Sequence, residues 1–200
     1  MRLLTVFLVL AVALLPLTAA AEDDIVHVRM ETSLGDIYLG LNRSKAPVTV
    51  ENFLAYAESG YYIRLIFHRV VPGRLIQGGG YNRSLYQRPK RDPIINEADN
   101  GLEHRRGTIA MARNQDPHSA LSQFFINVKD NPELNHQSKD FHFNWGYAVF
   151  GEVVHGMDVV DAINAVPTEG RGDFDAEVPV EHVYINSVTV VSAEDVPVAE

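Results

Sequence analysis

An arginine in a short segment that ends in glycines is the strongest chemical signal in this sequence. Segment Phe67–Gly80 reads FHRVVPGRLIQGGG and contains Arg69 and, further along, Gln77. A guanidinium is always charged, planar and rich in N–H donors, so it can stabilise a transition state without nucleophilic attack or proton transfer. No Gly-Lys-Ser/Thr follows the glycines, which argues against a phosphate-binding loop, and no GxSxG serine-hydrolase elbow is present.

Three further blocks follow this segment in a fixed order along the chain. They read NEA with RGTIAMAR, then SQFFIN, then GYAVFGEVV with GMDVV. Together the four blocks resemble the signature of the cyclophilins, the cyclosporin-type peptidyl-prolyl cis-trans isomerases, in that family's order. The resemblance extends from Val26 to Val191. The residues of Arg106–Arg113 and Gly146–Gly151 are most similar to the bacterial periplasmic branch of the family.

Hydrophobic periodicity predicts a mainly β fold with two helices. Alternation over Val26–Met30 and Ile37–Leu41 predicts a hairpin; helical spacing predicts one helix from Pro47, with Ser44 as candidate cap, and another over Met157–Val166. Further strands are predicted at Tyr61–Val71, Leu75–Gln77, Thr108–Met111, Gln123–Val128, Ala148–Val154 and Val183–Val191. Periodicity alone does not establish a closed sheet. The resemblance implies one: an eight-stranded antiparallel β-barrel, closed and capped by two α-helices.

The activity implied by the resemblance is rotation about X-Pro peptide bonds. Resonance opposes this rotation with a barrier of ~18–20 kcal/mol. The prolyl nitrogen regains its lone pair only when the amide twists, so a cation with directed N–H donors near that nitrogen favours the twisted state. Arg69 matches the family's catalytic arginine and is expected to have this role.

The same resemblance implies a substrate-binding groove around Arg69. An apolar pocket for the substrate proline is expected from Leu75, Phe125 and Leu134, with Tyr147 at its rim. Gln77 is expected to orient Arg69 or to bind a substrate carbonyl. The residues expected to flank the groove are Ala112, Arg113 and Gln123.

Three positions depart from the family pattern. Arg74 stands where a pocket phenylalanine is common, and its aliphatic stem could cover apolar surface while its charge stays in water. This change could favour an acidic residue beside the substrate proline. Glu133 replaces the aromatic residue that supports cyclosporin binding, so weak binding of the drug is expected. Tyr147 stands where eukaryotic members have histidine, and its hydroxyl can still donate a hydrogen bond.

The two ends of the chain read as separate from the fold. Arg2, an apolar run and Ala19–Ala21 describe a cleavable signal peptide over residues 1–21, too short to be a stable membrane anchor. The isomerase domain is then expected over residues 22–192, and a flexible acidic tail over 193–200. The chain has no cysteine and so no disulfide bond, but an exported domain of this size can be stabilised by its hydrophobic core alone. The periplasm is the preferred location, with secretion as the alternative.

Charge and spacing exclude several classes of partner. The net charge of −9 argues against nucleic acid, which requires a basic surface. His136 and His142 share a loop without metal-ligand spacing, and a cation site at Asp173, Asp175 and Glu177 is the weaker interpretation. No cofactor and no metal are therefore expected, and the protein is expected to be a monomer that binds proline-containing, unfolded or exported polypeptides.

Two other function classes remain open on the sequence. A peptide-binding chaperone on the same fold with little catalysis is favoured by Arg74 and Glu133, whereas an enzyme is favoured by intact Arg69, Gln77 and Phe125. An assembly protein that docks one fixed partner through the barrel surface is the third class.

Overall fold

The computed structural model describes residues 24–198, which form twelve strands and two α-helices. The signal-peptide prediction lies outside the described residues. The strands are β1 (Ile25–Thr32), β2 (Gly35–Asn42), β3 (Leu65–Ile66), β4 (Arg69–Val71), β5 (Leu75–Gly78), β6 (Tyr81–Asn82), β7 (Thr108–Met111), β8 (Phe124–Asn127), β9 (Val149–His155), β10 (Thr168–Arg171), β11 (Phe174–Pro179) and β12 (Tyr184–Val190). The helices are α1 (Pro47–Glu58) and α2 (Met157–Asn164), with short 3₁₀ turns at Pro132–Leu134 and Ala193–Asp195.

Ten strands form one curled sheet in the order β4-β5-β8-β7-β9-β2-β1-β12-β3-β6, and β10 and β11 form a separate hairpin. The expectation of a closed eight-stranded barrel is therefore wrong. The strand expected over Tyr61–Val71 is interrupted at Phe67 and His68, so β3 pairs with β12 and β6 while β4 pairs with β5. Ladder pairing thus stops at β4 on one edge and at β6 on the other.

The two faces of the sheet carry two different apolar clusters. On the inner face, Val70, Ile76, Ile126 and Ile109 are paired across four neighbouring strands and are fully buried in the main core. Helix α1 adds Phe53, whose ring contacts core aromatic rings of the sheet. Because side chains alternate along a strand, the intervening residues face the other way and are available for a site.

Helix α1 begins at Pro47 as predicted, but its N-cap is Ala46 rather than Ser44. The first N–H groups of a helix have no partner within it, and here the Glu97 carboxylate accepts hydrogen bonds from the backbone N–H groups of Val48 (3.1 Å) and Thr49 (2.8 Å). A carboxylate at a helix N-terminus also interacts favourably with the helix dipole. Glu97 therefore replaces a local cap.

Helix α2 holds the turn between β4 and β5. Asn164, its last residue, donates from Nδ2 to the Val71 carbonyl (2.9 Å) and accepts from the Gly73 N–H at Oδ1 (2.7 Å). The turn lies within Phe67–Gly80, the segment singled out by the sequence.

No helix within residues 24–198 is long and apolar enough to cross a membrane.

Candidate active site

A row of side chains crosses the outer face of the sheet and brings the main predicted residues together. Arg69 on β4 pairs with Gln77 on β5, Gln77 with Phe125 on β8, and Phe125 with Ala110 on β7. Directly paired residues on neighbouring strands have adjacent side chains. The register alone therefore places a cation, an amide and an aromatic ring side by side.

The apolar half of the row is the second, smaller cluster of the fold. Phe125 is only 3% exposed and packs with Leu75, while Leu134, Ala112 and Tyr147 are partly buried against them. The four residues expected around the substrate proline and the flanking residue Ala112 are thus assembled from separate segments of the chain. They form an apolar surface open to solvent at Leu134 and Tyr147.

The polar half of the row is a chain of hydrogen bonds that starts at Arg69. Its Nη1 donates to Oε1 of Gln77 (3.4 Å), and Gln77 Nε2 donates to Oε1 of Gln123 (2.9 Å). On its other side, Arg69 donates from Nε to Oε2 of Glu177 at 2.7 Å, an ion pair that the sequence did not predict. Gln77 therefore contacts Arg69 as expected, and a second group holds the other side of the guanidinium.

Arg113 spans from the groove to the loop before Tyr147. Its Nε donates to the Gly146 carbonyl (2.8 Å) and its Nη2 to the His142 carbonyl (3.0 Å), while its guanidinium carbon lies 4.8 Å from the centre of the Tyr147 ring. The Arg113 side chain therefore orders the rim of the apolar surface.

Two of the three residues that depart from the family pattern, Arg74 and Glu133, contact each other. Arg74 Nη2 donates to Oε1 of Glu133 at 2.9 Å, and both side chains are partly exposed. The charge of Arg74 is therefore already paired beside the apolar surface, which weakens the expectation that it attracts an acidic substrate residue. Exposed pairs of this kind add little stability.

A cavity of about 380 Å³ adjoins the polar half of the site. Arg69, Gln77, Gln123, Ala112 and Arg113 line it on one side. Ala112 lines this cavity and also packs against the apolar cluster, so the polar and apolar halves of the site adjoin at this residue.

His104 supports the apolar surface from beneath and was missed by the sequence interpretation. Its ring stacks on Phe125 with centroids 5.6 Å apart and planes 9° apart, and it is 2% exposed. Nε2 lies 3.0 Å from the Tyr147 carbonyl and Nδ1 lies 3.1 Å from Nδ2 of Asn127. An amide N–H must donate to Nδ1, so these contacts require the neutral ring. Its partners are distant in sequence, and no local pattern marks it.

Burial favours the neutral form of two histidines, His104 and His68. Burial lowers the pKa of His104 to about 4. Burial, and secondarily the charge of Arg69, also lowers the pKa of His68 to about 4. His68 packs against the rings of Tyr81 and Phe174.

Comparison with known proteins identifies the family. The model of the cyclophilin-type peptidyl-prolyl cis-trans isomerases matches residues 27–190. The chain therefore belongs to this family.

Two bacterial relatives carry that activity in their names. Peptidyl-prolyl cis-trans isomerase cyp18 of Streptomyces antibioticus is 55% identical over 165 residues, covering 82% of this chain and 98% of the relative. Peptidyl-prolyl cis-trans isomerase B of Escherichia coli is 53% identical over 163 residues, with coverage of 82% and 98%. A crystal structure of a Cryptosporidium parvum cyclophilin-type isomerase in the presence of the dipeptide Ala-Pro superposes with a TM-score of 0.63 at 30% identity, covering 83% of this chain and 99% of that one.

The buried histidines predict how stability depends on pH. A histidine in an unfolded chain has a pKa of about 6.5, so between pH 6.5 and 4 the unfolded state binds a proton that the folded state does not. Lowering the pH through this window therefore reduces the free energy of unfolding. His104 accounts for about 2 kcal/mol of the loss between pH 7 and pH 5.

Urea unfolding of His104→Gln at both pH values measures this contribution. The variant is expected to lose less stability than the parent protein on acidification. His142→Gln, at an exposed loop position, is the matched control and keeps the parental pH dependence. Equal pH dependence in the His104 variant and the parent would contradict the assignment.

Proposed function

We propose that this chain isomerises X-Pro peptide bonds and that Arg69 is its catalytic residue. The observation that carries the assignment is the paired row of Arg69, Gln77 and Phe125, which sets a fixed cation beside an apolar surface. Membership of an isomerase family supports the reaction, and the geometry supports the roles.

The apolar cluster is assigned to the substrate proline. Leu75, Phe125, Leu134 and Ala112 offer a shallow surface of the right chemistry for a pyrrolidine ring, and Tyr147 closes the rim. A proline ring on this surface places its nitrogen towards the polar half of the row. There the guanidinium N–H groups stabilise the lone pair that the twisted amide recovers.

Gln77 and Gln123 are assigned to positioning. The Gln77 oxygen accepts from Arg69 and its amide donates to Gln123, so the direction of both amides is fixed by the cation. A pre-oriented donor set has no reorganisation cost when the amide twists, which is the main source of such catalysis.

The proposed setting is the folding of exported proteins. X-Pro isomerisation takes tens of seconds or longer without a catalyst, slow enough to limit folding. The sequence of residues 1–21 supports export, and the absence of cysteine is compatible with an oxidising compartment. The periplasm is the proposed location, and the protein is proposed to act there as a monomer.

Arg69→Ala tests the catalytic assignment. Loss of the cation that stabilises the transition state is expected to lower kcat/KM about 100-fold or more, with little effect on folding. The measurement is a protease-coupled or NMR-exchange assay on an Ala-Pro peptide. Arg29→Ala removes an arginine of similar exposure on β1 and serves as the control that keeps activity.

Two measurements distinguish the enzyme from the other function classes: the same peptide assay and a pull-down. A chaperone without catalysis would bind the peptide while leaving its exchange at the uncatalysed rate, and this result would refute the enzyme. An assembly protein would retain one stoichiometric partner in a pull-down regardless of Arg69→Ala.

The Arg74–Glu133 pair predicts weak binding of cyclosporin. A charged pair occupies the position at which the family's aromatic residue supports the drug. Exchange of both residues, as Arg74→Phe with Glu133→Trp, adds apolar contact area and is expected to tighten binding about tenfold or more. Inhibition of isomerase activity measures it. The prediction fails when the parent protein is inhibited as strongly as the double variant.

Export predicts a processed N-terminus. After expression of the full chain in a bacterial host, the periplasmic fraction is expected to contain protein beginning at Glu22, because Ala19–Ala21 provide the small residues of a cleavage site. Intact-mass measurement of each fraction identifies the start. Full-length protein that stays in the cytoplasm would overturn the proposal.

A further inference from the structure

We propose that Glu177 is a positioning residue for catalysis: it fixes the guanidinium of Arg69 from the side opposite to Gln77. This inference rests on the proposed role of Arg69. It concerns a hairpin that lies outside the main sheet and that the sequence interpretation considered only as a minor cation site.

The contact itself is short and well defined. Arg69 Nε donates to Glu177 Oε2 at 2.7 Å, with the two side chains 36% and 34% exposed. Arg69 Nη1 faces Gln77 at the longer distance of 3.4 Å. The carboxylate is thus the tighter of the two partners that orient the guanidinium within the described part of the chain. It occupies Nε, while Nη1 donates to Gln77 and the guanidinium lines the cavity.

The backbone around Glu177 is distorted in a way that aims this side chain. Glu177 has a φ of +69°, which is rare for a residue with a side chain and is strained in an L-amino acid. In the β10–β11 hairpin, Glu169 pairs with Val178 and Arg171 with Phe174, so β11 has three residues opposite the single Gly170. This is a β-bulge, a feature that redirects side chains near active sites.

Gly170 is the residue that permits the bulge. A Cβ atom at this position would lie 2.4 Å from the carbonyl oxygen of Asp175, a distance that no side chain tolerates. The bulged strand therefore approaches its partner closely at a glycine. Past the bulge, Val178 is fully buried and anchors the end of β11.

Aromatic packing holds the other end of β11 against the site. The Phe174 ring lies 5.3 Å from that of Tyr81 and 5.8 Å from that of His68, the residue before Arg69. The hairpin is therefore fixed on both sides of Glu177, and the carboxylate is presented to Arg69 by a rigid support.

Stability alone does not explain this arrangement. A partly exposed ion pair contributes little to folding, whereas a positive φ at a glutamate costs free energy. Strained residues persist where the surrounding structure enforces them, and they concentrate at functional sites. Holding one orientation of a flexible arginine is a function that accounts for both observations.

Glu177→Gln is the principal test, because it keeps the length of the side chain and removes its charge. A less fixed Arg69 is expected to lower kcat for an Ala-Pro peptide about tenfold, with peptide affinity changed less than about twofold. The urea midpoint is expected to stay close to that of the parent. Glu177→Asp, which restores the charge, is expected to recover part of the activity.

An NMR signal reports the contact independently of activity. The Arg69 Nε–Hε resonance is expected to move upfield in Glu177→Gln, because a charged acceptor at 2.7 Å is lost. Arg29 donates from Nε to Asp36 at 2.9 Å with similar exposures of 41% and 31%, so its resonance is an internal reference. Asp36→Asn is the matched variant and is expected to keep full activity.

A double-mutant cycle distinguishes failure of this inference from failure of the proposed function. In an Arg69→Ala background, Glu177→Gln is expected to have no further effect on kcat. Full activity of Arg69→Ala would refute the proposed catalytic role itself. If Arg69→Ala is inactive but Glu177→Gln is fully active, or loses activity only in proportion to its stability, Glu177 has no positioning role.

Discussion

The site depends on the register of β5 with its two neighbours. Gln77 stands opposite Arg69 on one side and Phe125 on the other, while Ile76 and Ile126 are paired on the buried face. Because side chains alternate, a slip of one residue would exchange the two faces completely. Burial of the inner row is what makes such a slip costly. The geometry of the proposed site is therefore enforced by aliphatic residues that are buried on the opposite face of the sheet.

Alternation within each predicted strand shows that Arg69 and Gln77 face away from the apolar Val70 and Ile76. That Arg69, Gln77 and Phe125 form one site was implied by the family resemblance, and the pairing of their strands is seen only in the fold. The two helices and most strands follow from periodicity in the same way. The open sheet was not predicted. The resemblance implied a closed one, and no local pattern shows that ladder pairing is interrupted at Phe67 and His68.

Contacts between distant segments account for what the sequence could not predict. Glu97 caps α1 from beyond the intervening strands, and Glu177 reaches Arg69 from 108 residues further along the chain. Arg74 and Glu133 read as two independent departures, yet they are one ion pair. Each side chain by itself looks like an ordinary surface charge. The partner of each charged side chain is known only from the fold, and its role follows from that partner.

The β10–β11 hairpin also has a consequence for self-association. Strand β4 lies at the edge of the large sheet, and an open edge offers unpaired backbone groups to another chain. The hairpin packs beside β4 and occupies that approach, with the Arg69–Glu177 ion pair across the junction. The opposite edge, β6, is only two residues long and offers little to pair with. Both edges of the sheet are thus protected from pairing with a strand of another chain.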